Sequence, residues 1–213
     1  MNPIYEKKQQ IFSELINDPR LGRFCRREPE FPGYYCKNTN DVKAIVLGAD
    51  PTNPQNLKFK KVFGLEKEYD SPYFRPILKN LSKVGLDLNN IYVQNLCPNY
   101  FLDVTDVNEF YIEIAQKHWL SVLKQELDSF FKSTIPVLVT AWKPLKVIVP
   151  GAEIYTNKKS QIYKDAVIFS DNEIDRPVLA FFRGGLRKGY NGYYDLAFAD
   201  FSNYKELIKK LIA

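Results

Sequence analysis

The sequence predicts an α/β protein: a three-layer α/β/α domain around a central, mostly parallel four-stranded sheet. Three observations predict it. Four short apolar runs, at about 42–48, 91–96, 136–140 and 176–182, have the length and β-branched content of buried strands. The stretches between them carry apolar residues at helical spacing. Each run stops abruptly, in GADP, NLCP, TAW and FRGG. Strands separated by helices run parallel, so those four ends share one edge of the sheet.

The elements follow in order. A helix spans Ile4 to Asn17, with Ile4, Ile11, Phe12, Leu15 and Ile16 on one stripe, and Asp18-Pro19 ends it. Residues 20–40 are irregular and rich in Pro, Gly and aromatics; they read as a loop wrapping the sheet. Its Arg23, Arg26 and Arg27 are either surface charge or phosphate contacts. The first strand leads into a long loop, 51–70, with three Lys and two Phe between Lys58 and Phe63. Lys58, Lys60 and Lys61 there suit a solvated loop or a phosphate clamp.

Ser71-Pro72 has the cap and first-turn residues of a helix running to about Val84, closed by Gly85. The second strand ends at Asn95, before Cys97-Pro98, and residues 99–108 form a polar loop. A long helix fits about 108–131, with His118 inside it as a structural residue. After the third strand, Leu145 to Val149 suits a short helix or strand. Gln161 to Phe169 suits an edge strand or hairpin, and Asn203 to Ile212 an amphipathic helix. No internal repeat or low-complexity segment interrupts this order. The whole, 1–213, reads as a single domain, with 1–40 as an N-terminal helix and wrapping loop.

Composition narrows the function class. Thirty Lys and Arg against 25 Asp and Glu leave a net charge of +5, compatible with a nucleic-acid partner. The N-terminus has no signal-peptide pattern, and no apolar run approaches the length of a membrane span. Cys25, Cys36 and Cys97 form no CxxC pair, and His118 is the only imidazole, so neither a zinc site nor a disulfide framework is expected. The expectation is a cytoplasmic, reducing compartment, a monomer, and no metal or cofactor.

The strand ends bring together Asp50, Asn95, Trp142 and Arg183, with Phe63 and Leu186 on adjoining loops. Asp50 either caps a turn before Pro51 or is the carboxylate of a site. Asn95 is either a strand-end turn residue or a functional amide, with both a donor and an acceptor to offer. Phe63 is either a loop anchor or a stacking ring, and Trp142 reads as packing. The segment Arg183 to Tyr194, RGGLRKGYNGYY, joins basic side chains, glycines and tyrosines in a pattern suited to nucleic acid.

Over roughly residues 41–190 this order resembles the uracil-DNA glycosylase superfamily. Where the classical members read GQDPYH, this chain reads Gly48-Ala49-Asp50-Pro51-Thr52-Asn53. The resemblance implies that Asp50 orients water and stabilises a developing sugar cation. It implies that Phe63, in VFGLEK, stacks on a flipped base and that Asn95 reads its edge. Gly48, Ala49, Pro51 and Thr52 would line the base pocket. IYVQNLCP is also similar to the matching strand of the iron–sulfur glycosylases.

Three departures stand beside it. The last motif lacks His: with Leu186 as the wedge, Phe182 falls on the His position, and one residue later Arg183 does. Under the second alignment Arg183 would stabilise an anionic leaving base. Gly184, Gly185, Leu186, Arg187 and Lys188 would then contact DNA. Thr52 replaces the Tyr that screens out thymine, and three Cys cannot supply four cluster thiolates. The expected function is therefore DNA binding with recognition of a flipped or damaged base, and its excision by N-glycosidic bond hydrolysis. The alternative is a catalytically inactive binding protein on the same fold, holding a nucleotide, a nucleic acid or a protein partner.

Overall fold

The computed structural model describes residues 3–28, 30–181 and 202–213. Its centre is a four-stranded sheet of β1 (Ala44–Gly48), β2 (Ile91–Asn95), β3 (Val137–Val139) and β4 (Val178–Ala180), in the order β2-β1-β3-β4. Every pairing is parallel. All residues of the strands are buried, as two covered faces demand.

The helices are α1 (Pro3–Asn17), α2 (Arg75–Ser82), α3 (Tyr111–Ile114), α4 (Leu120–Phe130), α5 (Trp142–Ile148), α6 (Lys159–Lys164) and α7 (Ser202–Ile212). The β1→β2 step and the later steps run in opposite directions across the sheet. Right-handed crossovers therefore place α2 on one face and α3 to α5 on the other, giving three layers. On the second face α3 packs on α5, and α1 packs on α4. An edge-on ring stack of Phe12, Phe31 and Trp119 fills that layer. The last helix is pinned by Tyr204: its ring meets Tyr163 edge-on at 5.0 Å and its hydroxyl donates to Ala180 O. Burying such a ring contributes about 2 kcal/mol.

The edge strand β2 is not left open. Tyr35 exchanges both backbone hydrogen bonds with Val93, at 3.0 and 2.8 Å, so the wrapping loop covers the edge.

Several expectations are corrected. Ser71-Pro72 does not start a helix; α2 begins at Arg75, and Ser71 Oγ instead donates to Phe63 O. The long loop after β1 holds a kinked 3-10 segment, Val62–Asp70. The helix expected over 108–131 runs from Tyr111 to Phe130 and contains a π-helical stretch, Ala115–Trp119. Residues 142–148 settle as helix. The edge strand or hairpin expected at 161–169 is absent: its start lies in α6, and only Phe169 pairs, through one antiparallel bridge to Val178. The expected four-stranded parallel sheet is present, with every pairing parallel. No described helix is long and apolar enough to cross a membrane.

Candidate functional site

The site is built on the carboxyl ends of β1 and β2. Their register puts Gly48 beside Asn95, so the two residues face the same side of the sheet. Gly48 has no side chain, and that space is used: a Cβ there would overlap both Asn95 Oδ1 and the tip of the Phe63 ring. Phe63 sits in the left-handed region, at φ 56°, a conformation that costs a non-glycine residue about 1–2 kcal/mol. Tertiary contacts hold it there. Its carbonyl accepts from Ser71 Oγ, and its ring meets Phe74 edge-on at 5.5 Å. The ring is half-buried, so one part rests on Gly48 and another remains accessible.

Asn95 is 3% exposed, and its Oδ1 accepts no hydrogen bond among the described residues. A buried amide oxygen without a donor costs about 1–3 kcal/mol, and this one, at a strand end beside an accessible ring, can take a donor from a ligand or from water. The acceptor and the accessible aromatic ring meet over one glycine.

Asp50 follows on the same edge. Its Oδ1 accepts from Thr52 N at 2.8 Å, and Thr105 Oγ1 donates to its Oδ2. The carboxylate is half-exposed and oriented from two sides. Thr52 is itself fixed, since its Oγ1 accepts from Phe101 N at 2.8 Å. Asn53 holds the turn: its Nδ2 donates to Leu57 O at 2.9 Å and its Oδ1 accepts from Leu57 N at 3.0 Å. Tyr111 Oη donates to Ala49 O at 3.0 Å, and Cys97 N donates to the same carbonyl at 2.9 Å. Burial pushes the Cys97 thiol and the Tyr111 phenol well above their ordinary values, and Asp50 adds to both shifts. Both stay neutral at physiological pH and act as walls.

Across the β1/β3 gap, Thr140 Oγ1 donates to Leu47 O at 2.9 Å. Lys143 Nζ donates to Asn108 O at 2.7 Å, and burial lowers its pKa while Asp106 and Asp50 oppose that shift. Trp142 is half-buried at the start of α5, packed against the core, with Lys159 over its ring at 5.0 Å.

The structure thus brings Gly48, Ala49, Asp50, Pro51, Thr52, Phe63 and Asn95 to one edge of the sheet. Arg183, Gly184, Gly185, Leu186, Arg187 and Lys188, like Phe182, lie outside the described residues. Of the loop lysines, Lys58 pairs with Glu28 at 3.3 Å and Lys61 lies over the Tyr35 ring at 5.1 Å, so these two are engaged within the fold. Thr105 and Tyr111 escaped the sequence reading. They sit in a polar loop and at a helix start, where no local pattern marks contact with Asp50 or with the Ala49 carbonyl. Among the described residues no three His, Cys, Asp or Glu side chains converge as metal ligands. Compared with known proteins, the chain matches no family model and no curated sequence.

Proposed function

We propose that this protein binds DNA and recognises a base that stacks on the Phe63 ring with its edge at the Asn95 amide, with Asp50 as the carboxylate of N-glycosidic bond hydrolysis. The single observation that carries the reading is the buried Asn95 Oδ1, without a donor, at the foot of the Phe63 ring. An imide-type base edge offers an N–H to that oxygen and a carbonyl to the amide Nδ2. The ring supplies the stacking surface that a flipped base requires. Asp50, oriented by Thr52 and Thr105, supports positive charge developing on the sugar and orients the attacking water.

A second reading keeps the base pocket without the reaction. It is favoured by Asp50 itself, since both of its oxygens already accept hydrogen bonds within the fold.

The test is incubation with oligonucleotides carrying uracil, hypoxanthine, xanthine or a mismatched thymine, scoring abasic sites. Excision is expected to fall at least ~100-fold in Asp50→Asn and in Asn95→Ala. Abasic sites formed at the wild-type rate by both variants would overturn the reading. Lesion-selective binding with no abasic sites, lost in Asn95→Ala, would establish the non-catalytic form.

A further inference from the structure

A cleft of about 800 Å³ lies where the end of α1 faces the segment 22–28. Asp18, Arg23, Arg26, Arg27, Glu28 and Leu102 line it. Its two carboxylates are already engaged. Asp18 accepts from the backbone N–H groups of Arg20 and Leu21, each at 2.9 Å, and pairs with Lys117 at 2.9 Å. Glu28 pairs with Lys58. Arg23 and Arg27 are exposed, and among the described residues neither has a carboxylate in ion-pair range. Two guanidinium groups therefore face solvent in a concave site whose two carboxylates are, among the described residues, paired with lysines instead.

Arg26 has a different part. Its Nε donates to Phe101 O at 3.0 Å, its Nη2 donates to Asn56 Oδ1, and its guanidinium lies 5.8 Å from the Tyr100 ring centre. It fastens the cleft wall to the site. From Arg26 a short relay leads to the carboxylate: Arg26 to Phe101, Phe101 N to Thr52 Oγ1, Thr52 N to Asp50 Oδ1. That relay links the cleft wall to Asp50.

Apolar surface adjoins the charge. Leu102 is 59% exposed on the cleft wall. Phe24 stacks on Phe110 at 4.3 Å, with the Arg23 guanidinium 5.0 Å above its ring. Paired guanidinium groups match phosphodiester oxygens, and exposed apolar or aromatic surface beside them accepts unstacked bases. We infer that this cleft binds the phosphodiester backbone of single-stranded DNA flanking the base held at Asn95, with Arg23 and Arg27 on successive phosphates. The inference rests on the base-recognition reading for the course of the strand, while the cleft's own chemistry is independent of which base is read.

The test is fluorescence anisotropy of the full chain with a lesion-free 12-nucleotide oligothymidylate, between 50 and 200 mM salt. Arg23→Glu/Arg27→Glu is expected to weaken binding at least tenfold. Arg23→Gln/Arg27→Gln is expected to reduce the slope of log K against log salt by about 1.4, from two contacts at ~0.7 each on a single strand. Lys132→Glu, just before β3 at the opposite edge of the sheet, serves as the control and is expected to change neither quantity. An unchanged slope in the Gln pair, an equal loss in Lys132→Glu, or no binding by the wild type each overturns the cleft. The two readings fail separately. If the arginine variants bind normally while Asn95→Ala loses lesion selectivity, the cleft is wrong and the pocket stands. If the arginine variants lose strand binding while Asn95→Ala discriminates bases as before, the pocket is wrong and the cleft stands.

Discussion

Gln94 and Asn95 are neighbours on β2, both buried, both amides, and they face opposite sides of the sheet. Gln94 is fully engaged. Its Oε1 accepts from Asn95 N at 2.9 Å, a backbone donor that the sheet edge leaves unpaired. Its Nε2 lies 3.4 Å from Glu126 Oε1, and Glu126 is held by Lys8 Nζ at 2.8 Å. Among the described residues Asn95 Oδ1 has no donor. One amide closes a polar network, as a structural group does, and the other leaves an acceptor open, as a binding group does. The difference teaches how to separate buried polar groups that hold a fold from those that await a ligand.

The comparison can be broken at its strongest point. Lys8 and Glu126 form a pair whose side chains are 11% and 4% exposed. Glu126→Ala leaves the ammonium buried without its counter-ion and is expected to cost about 3–5 kcal/mol in denaturant unfolding. A loss under 1 kcal/mol would show that the network is not what holds α1 to α4. Replacing both partners together, Lys8→Met/Glu126→Leu, is expected to recover most of that loss, because no unpaired charge remains.

A smaller effect is expected at Gly48→Ala. The added methyl meets both Asn95 and Phe63, so about 1–3 kcal/mol of strain is expected along with displacement of the ring. Base binding should fall in proportion to ring movement, readable as a change in quenching of a fluorescent base analogue. Gln94→Leu should cost about 1–3 kcal/mol, since it strands the Asn95 N–H. The smallest change is the most telling: Asn95→Leu is expected to leave stability within about 1 kcal/mol of wild type, or to raise it, while abolishing base recognition. If Gln94→Leu and Asn95→Leu destabilised equally, the contrast between the two faces would be lost.

Much of the fold was legible because strand length, helical periodicity and abrupt strand ends are local properties. The runs at 42–48 and 91–96 could be aligned on one edge without coordinates, which placed Asp50 and Asn95 together. Errors arose where a local signal was overridden. Ser71 has cap chemistry but is drawn to the Phe63 carbonyl. The apolar run 161–169 has strand-like content, yet its first part is taken into α6. Phe63 was ambiguous because its positive φ and its seat on Gly48 depend on Ser71 and Phe74, not on its own neighbours.

The sequence by itself determined the α/β class, the parallel sheet and the sharing of one edge by Asp50 and Asn95, because each follows from patterns within a few residues. Only the tertiary structure decided which polar groups are satisfied. Thr105 reaches Asp50 across 55 residues of chain, and Arg26 reaches the Phe101 carbonyl across 75. Gln94 and Asn95 look alike in the sequence. What separates them is the face each side chain enters and the partners waiting there, and packing alone sets both.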